Sequence, residues 1–178
     1  PQDNKTYKHN EPYLVDEDYA PGYSVNSYDA YHNVNGVYTF SGWDTKAGNI
    51  TSDLEIRGTW KFEKTEVARH NVKYSWSGLP ANTEFYNAAG ESANPVLPMG
   101  YTGLVNGEPY SVDTTMPKTV VYTHDEYGNQ NAKYTFGNWN DPNNGVMGNS
   151  DVTVEGAWTV ETVKVPTHKI TYSWNGDI

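Results

Sequence analysis

Apolar and polar residues alternate along several short stretches of the chain, and each stretch occurs twice. Leu54, Ile56, Gly58, Trp60 and Phe62 alternate with Asp53, Glu55, Arg57, Thr59 and Lys61, and Val152, Val154, Gly156, Trp158 and Val160 alternate in the same way. A period of two with one apolar face predicts a half-buried β-strand. Val72-Tyr74-Trp76 and Ile170-Tyr172-Trp174 carry the same period, as do Tyr38-Phe40 and Tyr134-Phe136. Turn-forming stretches such as Ala47-Gly48-Asn49 and Asp141-Pro142-Asn143-Asn144-Gly145 separate them. No segment sustains a helical period. A short helix has room over Ala81–Gly90, with Asn82 as its cap. The expected fold class is therefore mainly β, with at most one short helix per repeat.

The duplication sets the expected organisation. Glu11-Pro12-Tyr13-Leu14-Val15-Asp16 returns as Glu108-Pro109-Tyr110-Ser111-Val112-Asp113, and Tyr38-Thr39-Phe40 with Trp43 returns as Tyr134-Thr135-Phe136 with Trp139. Asp53–Trp60 returns as Asp151–Trp158, and His70–Trp76 as His168–Trp174, all at offsets of 96 to 98 residues. Small length differences between blocks belong in loops. If the polar stretch Glu63–Asn71 and its copy Glu161–Lys169 are junctions, 67–164 is a complete repeat. Residues 1–66 are then a first repeat lacking its opening strand, and 165–178 are the opening strand of a third repeat or a donor strand. Two such repeats in tandem predict an elongated rod. A repeat without its first strand has an open sheet edge, which a matching apolar strand from the same or another chain can fill. Exchange between molecules would propagate head to tail into a filament.

Composition narrows the function classes. Only 36 % of residues are hydrophobic and the mean hydropathy is −0.78, yet 15 Tyr, 6 Trp and 4 Phe supply the large apolar surfaces that disordered chains lack. A formal net charge of −10 argues against a nucleic-acid or anionic-membrane partner. No apolar run is long enough to insert in a membrane. Cysteine is absent, as expected of a cytosolic protein or of exported Gram-positive-type proteins that avoid disulfides. A start at Pro1 without an initiating Met reads as a mature or trimmed chain.

The pattern Tyr134-Thr135-Phe136 with Trp139, followed by Asp151-Val152-Thr153-Val154-Glu155-Gly156-Ala157-Trp158, is duplicated at Tyr38–Trp43 and Asp53–Trp60. With Tyr74-Ser75-Trp76-Ser77-Gly78-Leu79-Pro80 it resembles the streptococcal high-identity repeats in tandem, the SHIRT domains of cell-wall adhesins. A weaker likeness runs to the internalin B-repeat group. The resemblance implies a rod-like stalk on a Gram-positive surface that holds a ligand-binding domain away from the cell wall. Its matching positions are structural, so it carries over no catalytic, cofactor or metal residue.

Several residues invite chemistry and have a plainer reading beside it. Trp43, Trp139, Trp60 and Trp158 would suit sugar stacking, but strict alternation favours the inner face of a sheet. Tyr19, Tyr23, Tyr28, Tyr31, Tyr101 and Tyr127 have no evident repeat partner and are the better ligand candidates. Asn140, Asp141, Asn143, Asn144, Asn149 and Asp151 crowd oxygens that would suit Ca²⁺, although they match no calcium-loop spacing and are ordinary turn residues. Asp16-Glu17-Asp18 and Asp125-Glu126 are conceivable glycosidase acids, but such clusters are usually just solvated. His9, His32, His70, His124 and His168 are scattered, which favours packing over metal binding. A Lys–Asn isopeptide crosslink needs a buried Lys, whereas Lys61, Lys73 and Lys133 fall on polar alternations.

The expectation is a non-enzymatic spacer in an extracellular, cell-wall-attached bacterial stalk, without cofactor, whose partners are neighbouring repeats. The alternatives are a filament subunit polymerising by strand exchange with its own copies through 165–178, or a module binding a host glycan or protein.

Overall fold

The computed structural model describes residues 4–15, 20–113 and 119–176. It is mainly β, with ten strands in three sheets and no helix among the described residues. The chain divides into two compact units, Pro1–Arg69 with Val105–Gly107, and His70–Leu104 with Glu108–Ile178.

The first unit holds β1 (Pro12–Leu14), β2 (Ser24–Tyr28), β3 (Val34–Trp43), β4 (Ala47–Asn49) and β5 (Gly58–Lys64). β1 pairs with β4, and β2-β3-β5 form a three-stranded antiparallel sheet. β-branched and aromatic residues on one face of β3 drive that sheet, and Phe40 is the side chain it buries most fully.

The second unit holds β6 (Arg69–Ser77), β7 (Tyr101–Val105), β8 (Val120–His124), β9 (Gln130–Asn140) and β10 (Val152–Thr162), in the order β7-β6-β10-β9-β8. β10 is central. It pairs antiparallel with β9 and parallel with β6, and buries Val152, Val154, Gly156 and Trp158 at period two. One core cluster joins Val72, Tyr74, Tyr110, Met147, Val152 and Val154, and another joins Phe85, Val121, Phe136 and Trp158.

Three strands of each unit share one register. Ser24 faces Thr39 in β2–β3 as Val120 faces Thr135 in β8–β9. Phe40 faces Trp60 and Gly58 faces Trp43, as Phe136 faces Trp158 and Gly156 faces Trp139, with the register shift at the same place. The second unit's sheet has two strands more, β6 and β7.

Two expectations are corrected. Ala81–Gly90 forms no helix. Asn82 sits in a turn at φ 53°, not in the extended conformation of an N-cap, and Tyr86 exchanges both backbone hydrogen bonds with Tyr122 while Phe85 enters the core. Asp53–Arg57 belongs to no sheet among the described residues, although its copy opens β10, and β5 begins only at Gly58. Residues 167–174, whose copy is β6, also belong to no sheet among the described residues, which leaves the expectation of a strand completing another repeat as it stood. A strand is a property of a pair, and among the described residues neither segment is paired as its copy is.

Candidate functional site

Most of the candidate chemistry resolves into turn architecture. Asp141 accepts the Tyr110 hydroxyl at 2.6 Å, Asn143 N at 3.0 Å and Gly145 N at 2.6 Å. Burial, and then the hydrogen bond to Asp141, push the Tyr110 phenol well above its usual range. Asp151 turns to β6 instead, accepting Asn71 N at 2.8 Å with His70 Nδ1 at 3.9 Å. The hydrogen bond from Asn71 N holds its carboxyl below the usual range. The loop's two carboxylates thus serve separate backbones.

Asp125 caps a turn. Its carboxylate accepts Tyr127 N at 3.0 Å and Asn129 N at 2.8 Å, with Asn129 Nδ2 at 3.0 Å. The side-chain and backbone bonds from Asn129 hold it below the usual range. Asp29 is bonded in the same way to Tyr31 N at 2.8 Å, Asn33 N at 2.9 Å and Asn33 Nδ2 at 3.0 Å. Burial acts to raise its pKa, yet the bonds from Asn33 and Tyr31 bring it below the usual value. Tyr31 and Tyr127 are therefore a repeated pair, which corrects their reading as unrepeated. The signal for it was Asp-x-Tyr-x-Asn at one spacing, Asp29–Asn33 and Asp125–Asn129. Asp16, Glu17, Asp18 and Tyr19 lie outside the described residues.

Lys61 and Lys133 point outward into ion pairs with Glu63 and Glu161. Tyr86 stacks on His124 at 4.3 Å, and Tyr101 donates its hydroxyl to Ser111 O at 3.0 Å.

The remaining site lies along Asp53–Gly58 of the first unit. In the second unit Trp76 of β6 stacks on Trp139 at 5.0 Å and meets Trp158 edge-on at 5.7 Å, beside Phe136. Phe136, Trp139 and Trp158 pack at 5.2 and 5.3 Å, and Phe40, Trp43 and Trp60 reproduce them at 5.3 and 5.3 Å. In the first unit Tyr23 meets Trp60 edge-on at 6.2 Å, and the two units differ in exposure. Leu54 is 48 % exposed against 4 % for Val152, and Trp60 41 % against 6 % for Trp158. Trp43 and Trp139 are both partly buried, so three of these four tryptophans pack inward as the alternation implies, while Trp60 opens to solvent. Ile170, Tyr172 and Trp174, which repeat Val72, Tyr74 and Trp76, are 77 %, 90 % and 90 % exposed. No protein-family model, no curated protein and no solved structure matches the chain.

Proposed function

We propose that the chain is a structural spacer segment of an extracellular bacterial surface stalk, in which β units are strung in tandem as a rod and hold a binding domain away from the cell wall. The observation that carries this reading is the duplicated scaffold, with β2-β3-β5 and β8-β9-β10 in one register and Phe40 and Phe136 buried at the same place in it. A unit repeated for its packing contributes length, whereas a binding module repeats its ligand contacts. The same aromatic positions carry the SHIRT resemblance, and that resemblance supports a Gram-positive cell-wall location.

The test displays a reporter binding domain on one, two and three tandem copies at a cell surface. The domain's reach is expected to grow with copy number while its affinity stays constant. Capture of glycans or matrix proteins by the chain alone, lost when Tyr31 and Tyr127 become Ala, would replace the spacer with an adhesive module.

A further inference from the structure

Four asparagines precede glycine, at Asn35–Gly36, Asn106–Gly107, Asn144–Gly145 and Asn175–Gly176. An asparagine in that setting loses its side-chain amide without an enzyme. The backbone nitrogen of the following residue gives up its proton and attacks the side-chain carbon Cγ. The Cγ–Nδ2 bond breaks, ammonia leaves, and a five-membered succinimide remains. Water then opens the ring at either carbonyl, giving aspartate or isoaspartate. Glycine favours closure because it has no Cβ to crowd the attack and the widest backbone freedom. Closure also requires the side chain to swing onto the next nitrogen, so a step held in a ladder or turn reacts only through local opening.

The fold restrains three of the four steps. Gly36 is buried in β3, the middle strand of its sheet, between Ser27 and Lys64. Beside it the Ser27 hydroxyl donates to Asn35 Oδ1 at 2.7 Å and Thr65 N donates to Asn35 O at 3.0 Å. Both the side chain and the backbone of Asn35 are therefore held. At Asn144 the attacking nitrogen is itself engaged, because Gly145 N donates to Asp141 Oδ2 at 2.6 Å. A nitrogen that donates to a carboxylate resists losing its proton. Asn106 and Gly107 are half-buried, with Asn33 Nδ2 donating to Asn106 O at 2.9 Å. A Cβ at Gly107 would stand 3.4 Å from Tyr31.

The fourth step is placed differently. Residues 163–176 belong to no strand, Asn175 and Gly176 are exposed, and Trp174 before them is 90 % exposed. A Cβ at Gly176 would meet nothing within 4 Å among the described residues, so the approach to its nitrogen is uncrowded. The copy of this step in β6 is Ser77–Gly78, which has no side-chain amide to lose.

We infer that Asn175 is a modification site, the asparagine at which the folded chain deamidates first, with water as the only co-reactant. Each event adds one negative charge to a chain whose formal net charge is already −10. The isoaspartate product also routes the backbone through the former side chain and lengthens it by one carbon. The inference stands apart from the spacer reading, and neither depends on the other.

The test incubates the full chain in neutral buffer, native and in guanidinium, and follows each Asn-Gly step by peptide mass mapping over time. An isoaspartate-specific methylation assay runs beside it. In the native chain the peptide holding Asn175 is expected to gain one mass unit at least about 10-fold faster than those holding Asn35, Asn106 or Asn144. In guanidinium the four rates should converge, because the same dipeptide then lies in open chain at every site. Asn175→Gln should remove the early product, and Gly176→Ala should slow it by adding a Cβ beside the attacking nitrogen. Both positions are exposed, so these variants leave the fold intact. A native chain in which Asn175 reacts no faster than the other three would overturn the inference. So would a difference that persists in guanidinium, which would place its cause in the neighbouring residues and not in the fold.

Discussion

Trp76 lies nearly flat on Trp139, with ring centroids 5.0 Å apart and planes 21° from parallel, and both indoles press on the backbone of Gly156. A Cβ at Gly156 would come within 2.6 Å of Trp139 and 2.7 Å of Trp76. Neither ring has an easy retreat, because Trp139 also packs on Phe136 and Tyr74 and Trp76 on Trp158. Gly156→Ala is therefore expected to destabilise the second unit by about 1–3 kcal/mol, the usual cost of overpacking. Guanidinium unfolding followed by tryptophan fluorescence reads this directly. An unchanged midpoint would mean that the stack slides without cost.

The same tryptophan has opposite consequences at its two positions. Trp76→Ala empties a place in the aromatic cluster of the second unit and should cost about 3–5 kcal/mol. Trp174→Ala removes a side chain that is 90 % exposed, and dilute chain should keep its stability within about 0.5 kcal/mol. Comparing the two variants by thermal unfolding separates a core residue from its exposed copy. Equal losses would show that Trp174 packs within the chain.

The sequence pattern made part of this legible. The alternation in Val152–Trp158 predicted a strand with Val152, Val154 and Trp158 inward, and β10 has that face. The same alternation in Leu54–Ile56 misled, because period two reports the face a strand would bury and not whether a neighbouring strand exists to pair with it. The parallel β6–β10 pairing was not readable either, since antiparallel and parallel strands share one period. β2 and β8 escaped notice because Ser24–Tyr28 and Val120–His124 share almost no residue types, although they occupy one register position. The Asp-x-Tyr-x-Asn turns were hidden by their differing intervening residues, Ala30 and His32 against Glu126 and Gly128. The Asp and Asn make the shared hydrogen bonds, while His32 and Gly128 both take a positive φ.

Tyr110 gives the second unit an alkaline limit. Its buried hydroxyl donates to Asp141 at 2.6 Å, and burial together with that carboxylate raises its pKa above the ordinary 10.0. A group whose folded pKa is raised contributes stability that is fully present below the unfolded value and is lost as pH rises through the folded one. The second unit should therefore weaken above pH 10, and Tyr110→Phe should remove a late-ionising step from a 295 nm titration. Tyr110→Phe should cost about 1–2 kcal/mol at neutral pH, because Asp141 loses a donor, and should flatten the alkaline loss. A variant with wild-type stability and an unchanged alkaline limb would show that another group sets it.

The two units should also differ in how tightly they hold equivalent backbone. Val154 is fully buried, and its strand is bonded on both edges, to β6 and to β9. Its copy Ile56 lies in a segment outside any sheet among the described residues, between an exposed Leu54 and an exposed Trp60. Amide exchange reports the free energy of local opening, and backbone outside a hydrogen-bonded ladder opens most easily. In dilute solution the amides of Leu54–Arg57 should exchange at least about 10-fold faster than those of Val152–Glu155, a difference of about 1.4 kcal/mol. Peptide-resolved hydrogen–deuterium exchange measures both sets in one experiment. Equal protection would mean that Leu54–Arg57 is held as firmly as the β10 ladder holds its copy.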